Sequence, residues 1–191
     1  MTLHSSIVQL KSSMRKEHIE PEGGLGEELF LFASTLMPVI NVDLLITNKD
    51  DNILLMWRDD PHSGTGWHVP GGCLRLRETL KERLFKTARN ELGCEISRDV
   101  RLIKIFEIFS EIDRVFIKDQ KERSHFVTFS YHCKSIDQDC IKKRLYQGDL
   151  EKTKYIKPGQ LYWFNKLPDN LLKVQNCYQI EWDSICDLLW R

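Results

Sequence analysis

Trp67-His68-Val69-Pro70-Gly71-Gly72, then Glu78, then Lys86-Thr87-Ala88-Arg89-Asn90-Glu91-Leu92-Gly93-Cys94 is the stretch that decides the fold. It reads as a strand, a glycine turn and a helix carrying one misplaced carboxylate. The helix spans Thr79 to Leu92: Thr79 with Glu82 makes a capping box, and Gly93 is a left-handed stop. At about 100° per residue, Leu80, Leu84 and Ala88 share a face that points into a core, and Glu91 lies only about 20° from Leu80. Glu91 therefore faces inward, in a last turn where the macrodipole disfavours negative charge by roughly 0.3–1 kcal/mol. Something positive must offset it, either a salt bridge to Arg89 or to a strand's Lys or Arg, or a metal ion. Gly71-Gly72 favours the metal, because glycine lets backbone carbonyls and amides approach a cation and a phosphate. Mg²⁺, held by one or two carboxylates plus phosphate oxygens, suits so sparse a ligand supply.

Outward from this stretch, Val39 to Ile46 and Ile53 to Trp57 are apolar runs of strand length joined by the turn-forming Asn48-Lys49-Asp50-Asp51, which predicts a hairpin. Arg101 to Ser110 and Ser124 to Lys134 predict a second, longer hairpin with the charged Lys118 to Glu122 between its strands. Leu161 to Phe164 is a short strand, and Cys177 to Trp190 has helical spacing. Gly26 to Met37 predicts a helix with an acidic first turn, closed by Pro38. Residues 1–24 read as a helical arm, with Ile7, Leu10 and Met14 at helical spacing and a hinge at Pro21 to Gly24; residues 25–191 form one domain.

Composition narrows the partners. Of 191 residues, 41% are hydrophobic, enough for a full core, and 28 basic residues balance 28 acidic ones. No global field favours nucleic acid or an anionic membrane, so anion binding is local. The six cysteines form no CxxC pair and no His-Cys zinc spacing, as in a reduced cytoplasmic protein. No apolar run approaches the roughly 20 residues of a membrane span, and the N-terminus has no signal-peptide core.

Pro70-Gly71-Gly72, Glu78 and Glu91-Leu92-Gly93 together resemble the box of the Nudix hydrolases, in which a glycine loop and a glutamate-bearing helix cleave diphosphates. The resemblance implies an α/β fold, a Nudix-like α/β/α sandwich with a mixed sheet and the box helix packed on it. Lys86-Thr87 and Asn90 stand where that family carries Arg-Glu and a second glutamate, so two of three clustered metal carboxylates are absent. A similarly thinned box marks the GDP-mannose mannosyl hydrolase branch, which uses one Mg²⁺ and directs water to the anomeric carbon of the sugar. The match includes Asp43, Arg58, Trp67 and Ser124-His125-Phe126.

Carried over residue by residue, the resemblance implies that the Gly71 carbonyl and the Glu91 carboxylate hold Mg²⁺, with Mn²⁺ an alternative. Arg58 neutralises the diphosphate leaving group, and Asp43 faces nucleotide or sugar. Trp67 is a base-stacking platform or a core residue, and Arg75 substitutes for the branch's arginine after Gly-Gly, which is Cys73 here. The positions of the branch's metal-binding Gln and general-base His fall near Lys157 and Pro158, which cannot serve. The base then comes from His125, His68, His62, Glu107 or Glu111, with His125 the first choice among them. Two readings follow: a Mg²⁺-dependent hydrolase of a nucleoside diphosphate sugar, attacked at carbon or at phosphorus, or a non-catalytic Nudix-fold module that binds a nucleotide sugar or a protein. The resembled branch is dimeric, and the arm offers an exchangeable element for a homodimer.

Overall fold

The computed structural model describes residues 2–17, 23–61, 63–109, 125–133 and 138–189. Among these, the strands are β1 (Val39–Ile46), β2 (Ile53–Asp60), β3 (Gly64–His68), β4 (Gly71–Cys73), β5 (Arg101–Phe109), β6 (His125–Cys133) and β7 (Leu161–Phe164). The helices are α1 (Leu3–Lys16), α2 (Glu27–Ser34), α3 (Leu80–Thr87), α4 (Gln138–Lys142), α5 (Asn176–Ile180) and α6 (Trp182–Leu189). One sheet has the order β4-β1-β6-β5 and is mixed, with β1 parallel to β6; the other, β3-β2-β7, is antiparallel.

The hairpin expected from β1 and β2 is not a ladder. Its turn forms, with Asn48 Oδ1 accepting from the Asp50 and Asn52 amides at 3.0 and 2.9 Å, but beyond a single Thr47–Ile53 bridge the strands part into different sheets. Both are buried on both faces over most of their length, so each becomes a central strand and needs a neighbour on either edge. β1 finds β4 and β6; β2 finds β3 and β7. The second hairpin does form, β5 against β6 antiparallel with a register shift between Leu102 and Lys104. Its charged connection, Lys118 to Glu122, lies outside the described residues, as do Ser124 and Lys134.

The box helix departs from a regular α-helix. The capping box is present, and α3 then passes into a π-helical turn at Ala88–Leu92, closed by Gly93 at φ 68°. The wider turn advances each residue by less than 100°, so the core line continues through Leu84, Ala88 and Leu92, with Glu91 half-buried beside it. This line packs on Val42, Leu44 and Ile46 of the mixed sheet. A second core, around Trp67, Phe106 and Tyr178, fills the space toward α5 and α6. The predicted C-terminal helix is thus two, broken at Glu181, and Trp190 lies outside the described residues.

The helix expected to run up to Pro38 ends at Ser34, where Thr35 and Leu36 turn back on the Phe32 and Ala33 carbonyls. The α1 helix is capped by Thr2 and buries none of its residues; Pro21 and Glu22 of the expected hinge lie outside the described residues. No described helix is long and apolar enough to cross a membrane.

Candidate active site

Asn41 and Asp43, two apart on β1, point to the same side of the mixed sheet, as do their β6 neighbours Thr128 and Ser130. Asp43 is buried; its Oδ2 accepts from the Tyr178 hydroxyl at 2.8 Å and from Gln175 Nε2 at 3.3 Å, and Ser130 Oγ lies 2.5 Å from the same hydroxyl. Burial pushes the Asp43 carboxyl up to about 7, against the Tyr178 hydrogen bond, the Arg58 charge and the Gln175 hydrogen bond. Gln175 also bonds both the amide and the carbonyl of Val69, at 2.7 and 3.0 Å, tying the C-terminal segment to the loop before Pro70.

Asn41, Asp43, Thr128 and Gln175 line a cavity of about 130 Å³ with Arg58, His68 and Gly71. Arg58 is partly exposed, its Nε 3.4 Å from Asp60 Oδ2 and its Nη1 3.5 Å from Ser63 Oγ, and its charge acts on Asp43, His68 and Glu91 alike. Gly71 opposes Asp43 so closely that a Cβ would lie 2.2 Å from Asp43 Oδ1. The Leu44 amide donates to the Pro70 carbonyl at 2.8 Å, which makes Asp43 and Gly71 a non-hydrogen-bonded pair. The amide and carbonyl of Gly71 therefore point away from β1, off the edge of the sheet. Gly72 is equally confined, since a Cβ there would meet Thr87 Oγ1 at 2.5 Å.

On the helix side, burial raises the pKa of Glu91, and the charges of Arg58 and Arg144 oppose the rise. Arg89, the nearest cation in sequence, pairs with Glu95 at 3.5 Å instead. Arg144 donates to the carbonyls of Glu91 and Gly159, closing the end of the π turn. Glu78 orders the loop: it accepts from the Arg75 amide at 3.0 Å and Arg83 Nε at 2.6 Å, with Lys86 Nζ at 2.9 Å. Burial would raise its pKa, yet Lys86, Arg83 and the amide outweigh burial and lower it. Thr87, where the resembled box has a carboxylate, is buried with its hydroxyl unpartnered. Among the described residues no three His, Cys, Asp or Glu side chains cluster as a metal cage. The donors that remain, a carbonyl turned off the sheet edge and one half-buried carboxylate, fit a single hard cation completed by substrate oxygens.

The structure thus brings Asp43, Arg58 and Gly71 together at the cavity, with Glu91 reached by the field of Arg58. Three other expected contacts need correction. Trp67 is 1% exposed and packed edge-on between Trp57 and Phe164, each at 5.1 Å, so its indole has no free face for a base. Arg75 turns away from the cavity, its guanidinium lying against Gly24. His125 precedes Phe126 and Thr128, which line the cavity, by odd steps; strand alternation puts it on the other face, where it stacks on Phe109 at 4.4 Å and lies 3.3 Å from Glu107 Oε1. Of the other candidate bases, His62 and Glu111 lie outside the described residues.

Sequence reasoning missed Asn41, Ser130, Arg144, Gln175 and Tyr178 as parts of this region. Asn41 carried a signal, a second polar residue on the strand parity of Asp43. The others sit far away in sequence and gave none.

A NUDIX domain model matches residues 37–173. The chain is 31% identical over 115 residues to the low-salt glycan biosynthesis protein Agl8 of Haloferax volcanii, covering 60% of this chain and 70% of that protein. Among solved structures, the MutT NUDIX hydrolase of Burkholderia pseudomallei aligns over 80% of this chain and 98% of its own, with 17% identity and a TM-score of 0.52. A possible asymmetric diadenosine tetraphosphate hydrolase of Jonesia denitrificans aligns over 81% and 98%, with 15% identity and a TM-score of 0.52. The matched residues run from the end of the α2 region to the segment that closes on Val69 and take in the whole glycine loop and box helix: the chain belongs to the Nudix hydrolase family.

Proposed function

We propose that this chain is a Mg²⁺-dependent hydrolase of a nucleoside diphosphate sugar, with water as the nucleophile. The observation that carries this reading is the placement of Arg58, whose side chain lines one cavity with the buried Asp43 carboxyl and with Gly71. A nucleoside diphosphate leaving group gains negative charge as its bond to the sugar breaks, and a cation preorganised beside it lowers the barrier. Mg²⁺, when bound by the Gly71 carbonyl and the Glu91 carboxylate, would supply Lewis-acid polarisation of the diphosphate. Arg58 binds and orients the diphosphate, and Asp43, held by Tyr178 and Gln175, faces nucleotide or sugar. The likeness to a glycan biosynthesis protein supports a sugar-linked substrate.

The thinned box favours a second reading, a Nudix-fold module that binds a nucleotide sugar without turning it over. Glu91→Gln separates the two. In either reading the metal-free fold is kept, with at most a small gain at the helix end; in the enzyme the substitution lowers Mg²⁺-dependent turnover at least about 100-fold, whereas in a binding module no turnover exists to lose. For the active protein, ³¹P NMR of products formed in ¹⁸O-labelled water reads the site of attack: label in phosphate means phosphorus, label confined to the sugar means carbon. A panel of nucleotide sugars that yields no product with Mg²⁺ present overturns the enzymatic reading.

A further inference from the structure

We propose that the cavity beside Asp43 is a hydroxyl-reading subsite, in which His68 Nε2 accepts a hydrogen bond from a hydroxyl of the bound nucleotide sugar and Asn41 Oδ1 offers a second acceptor. The inference rests on the nucleotide-sugar reading and adds to it a residue that sets specificity. His68 is 2% exposed, in register with Met56 across β2 and β3, and its Nδ1 lies 2.7 Å from the Met56 carbonyl oxygen. A carbonyl only accepts, so Nδ1 carries the proton and donates it. Nε2 is left as a bare lone pair. It is buried and has no partner, and the residue lines the cavity.

Asn41 Oδ1 is a second buried acceptor without a partner, on another residue that lines the same cavity. Native interiors rarely leave such atoms unpaired, and two around one cavity mark a place that a donor completes.

The charges nearby select the kind of donor. Arg58 acts on His68, and burial with that charge holds the imidazole down at about 3, so the lone pair persists across the working pH range. The same guanidinium disfavours a metal cation at Nε2. Phosphate oxygens carry only lone pairs and meet two acceptors and the Asp43 carboxyl, so they belong with Arg58 and not with His68. A neutral hydroxyl satisfies all of these conditions. At about 130 Å³ the cavity far exceeds the roughly 10–15 Å³ that one water needs, which leaves room for an edge of a sugar ring.

The test is ¹⁵N NMR of the histidine side chains in the full chain without added metal, titrated separately with GDP-mannose, GDP and MgCl₂, with saturation by each nucleotide judged from backbone amide shifts. An upfield movement of His68 Nε2 with GDP-mannose alone assigns the hydroxyl to the hexose; the same movement with GDP assigns it to the ribose; either supports the subsite. Saturation by GDP-mannose with His68 Nε2 unmoved overturns the subsite while leaving the hydrolase reading intact, and a response to MgCl₂ alone overturns it in favour of a metal ligand. Failure of a panel of nucleotide sugars to bind, with and without MgCl₂, removes the nucleotide-sugar reading and the subsite with it. As a second arm, His68→Phe lowers kcat/KM for GDP-mannose roughly five- to tenfold, and His68→Gln recovers part of the loss because it restores an acceptor. Equal kcat/KM in wild type and His68→Phe contradicts the proposal, and a His68→Phe variant that misfolds leaves the wild-type titration to decide.

Discussion

Asp43 sits against Gly71 with no room for a Cβ between them, yet it is a carboxyl deep enough for burial to push its pKa from 3.8 to about 7. That has a stability consequence of definite sign. Below about pH 4 the carboxyl is protonated in both folded and unfolded chains. Between about 4 and 7 the unfolded chain releases the proton while the folded one keeps it, so stability falls as pH rises; above 7 the penalty is complete. At about 1.4 kcal/mol for each tenfold change in proton affinity, the loss is of a few kcal/mol. Asp43→Asn removes it: in metal-free protein the variant's melting temperature should hold from pH 5 to 8 where the wild type's declines. Parallel declines in the two would show that Asp43 is ionised throughout. Much at this scale was legible in the sequence. Asp43 stood out as a charge in an apolar strand, Arg58 as a cation closing the next, and Glu91 as a carboxylate on a core-facing helix. His125 misled because a histidine in an apolar strand looks the same on either face until register is known, and Trp67 because tryptophan serves core and ligand sites with one signature.

The π turn at Ala88–Leu92 is the element that most alters the local chemistry. It keeps Leu92 in the core while setting Glu91 half-buried, and Arg144 holds its end through the Glu91 carbonyl. Arg144→Leu leaves the Glu91 and Gly159 carbonyls without that donor, for an expected destabilisation of about 1–3 kcal/mol in urea unfolding, and it also removes one of the two charges that favour an ionised Glu91. A variant as stable as wild type would place the closure of the turn elsewhere. The cap of this helix and its glycine stop could be read from Thr79, Glu82 and Gly93 because both signals are local. The π geometry could not: a five-residue hydrogen-bonded turn and a four-residue one share the same apolar spacing over so short a span.

Across the whole molecule, the apolar runs showed which segments are strands but not which sheet each joins. Nothing in Val39 to Ile46 or Ile53 to Trp57 distinguishes a pair of hairpin partners from two sheet centres; burial on both faces makes the difference, and that is a property of what surrounds them. The α1 helix stands apart from this construction, since none of its residues is buried. We propose it as a separable arm: a chain lacking residues 2–17 should melt within about 1 °C of the full chain, and a larger drop would mean that α1 packs on a second copy.

Asp43 meets its two C-terminal partners across 132 and 135 residues of chain, whereas Gly71, Glu78 and Glu91 all fall within one short stretch. During synthesis the glycine loop and its helix can therefore fold while the ribosome is still at work, but the carboxyl in the first strand stays without its hydroxyl and amide donors until Tyr178 has emerged. Nascent chains arrested before that point would hold a formed glycine loop and box helix beside an unfinished cavity, whose last polar partners arrive together.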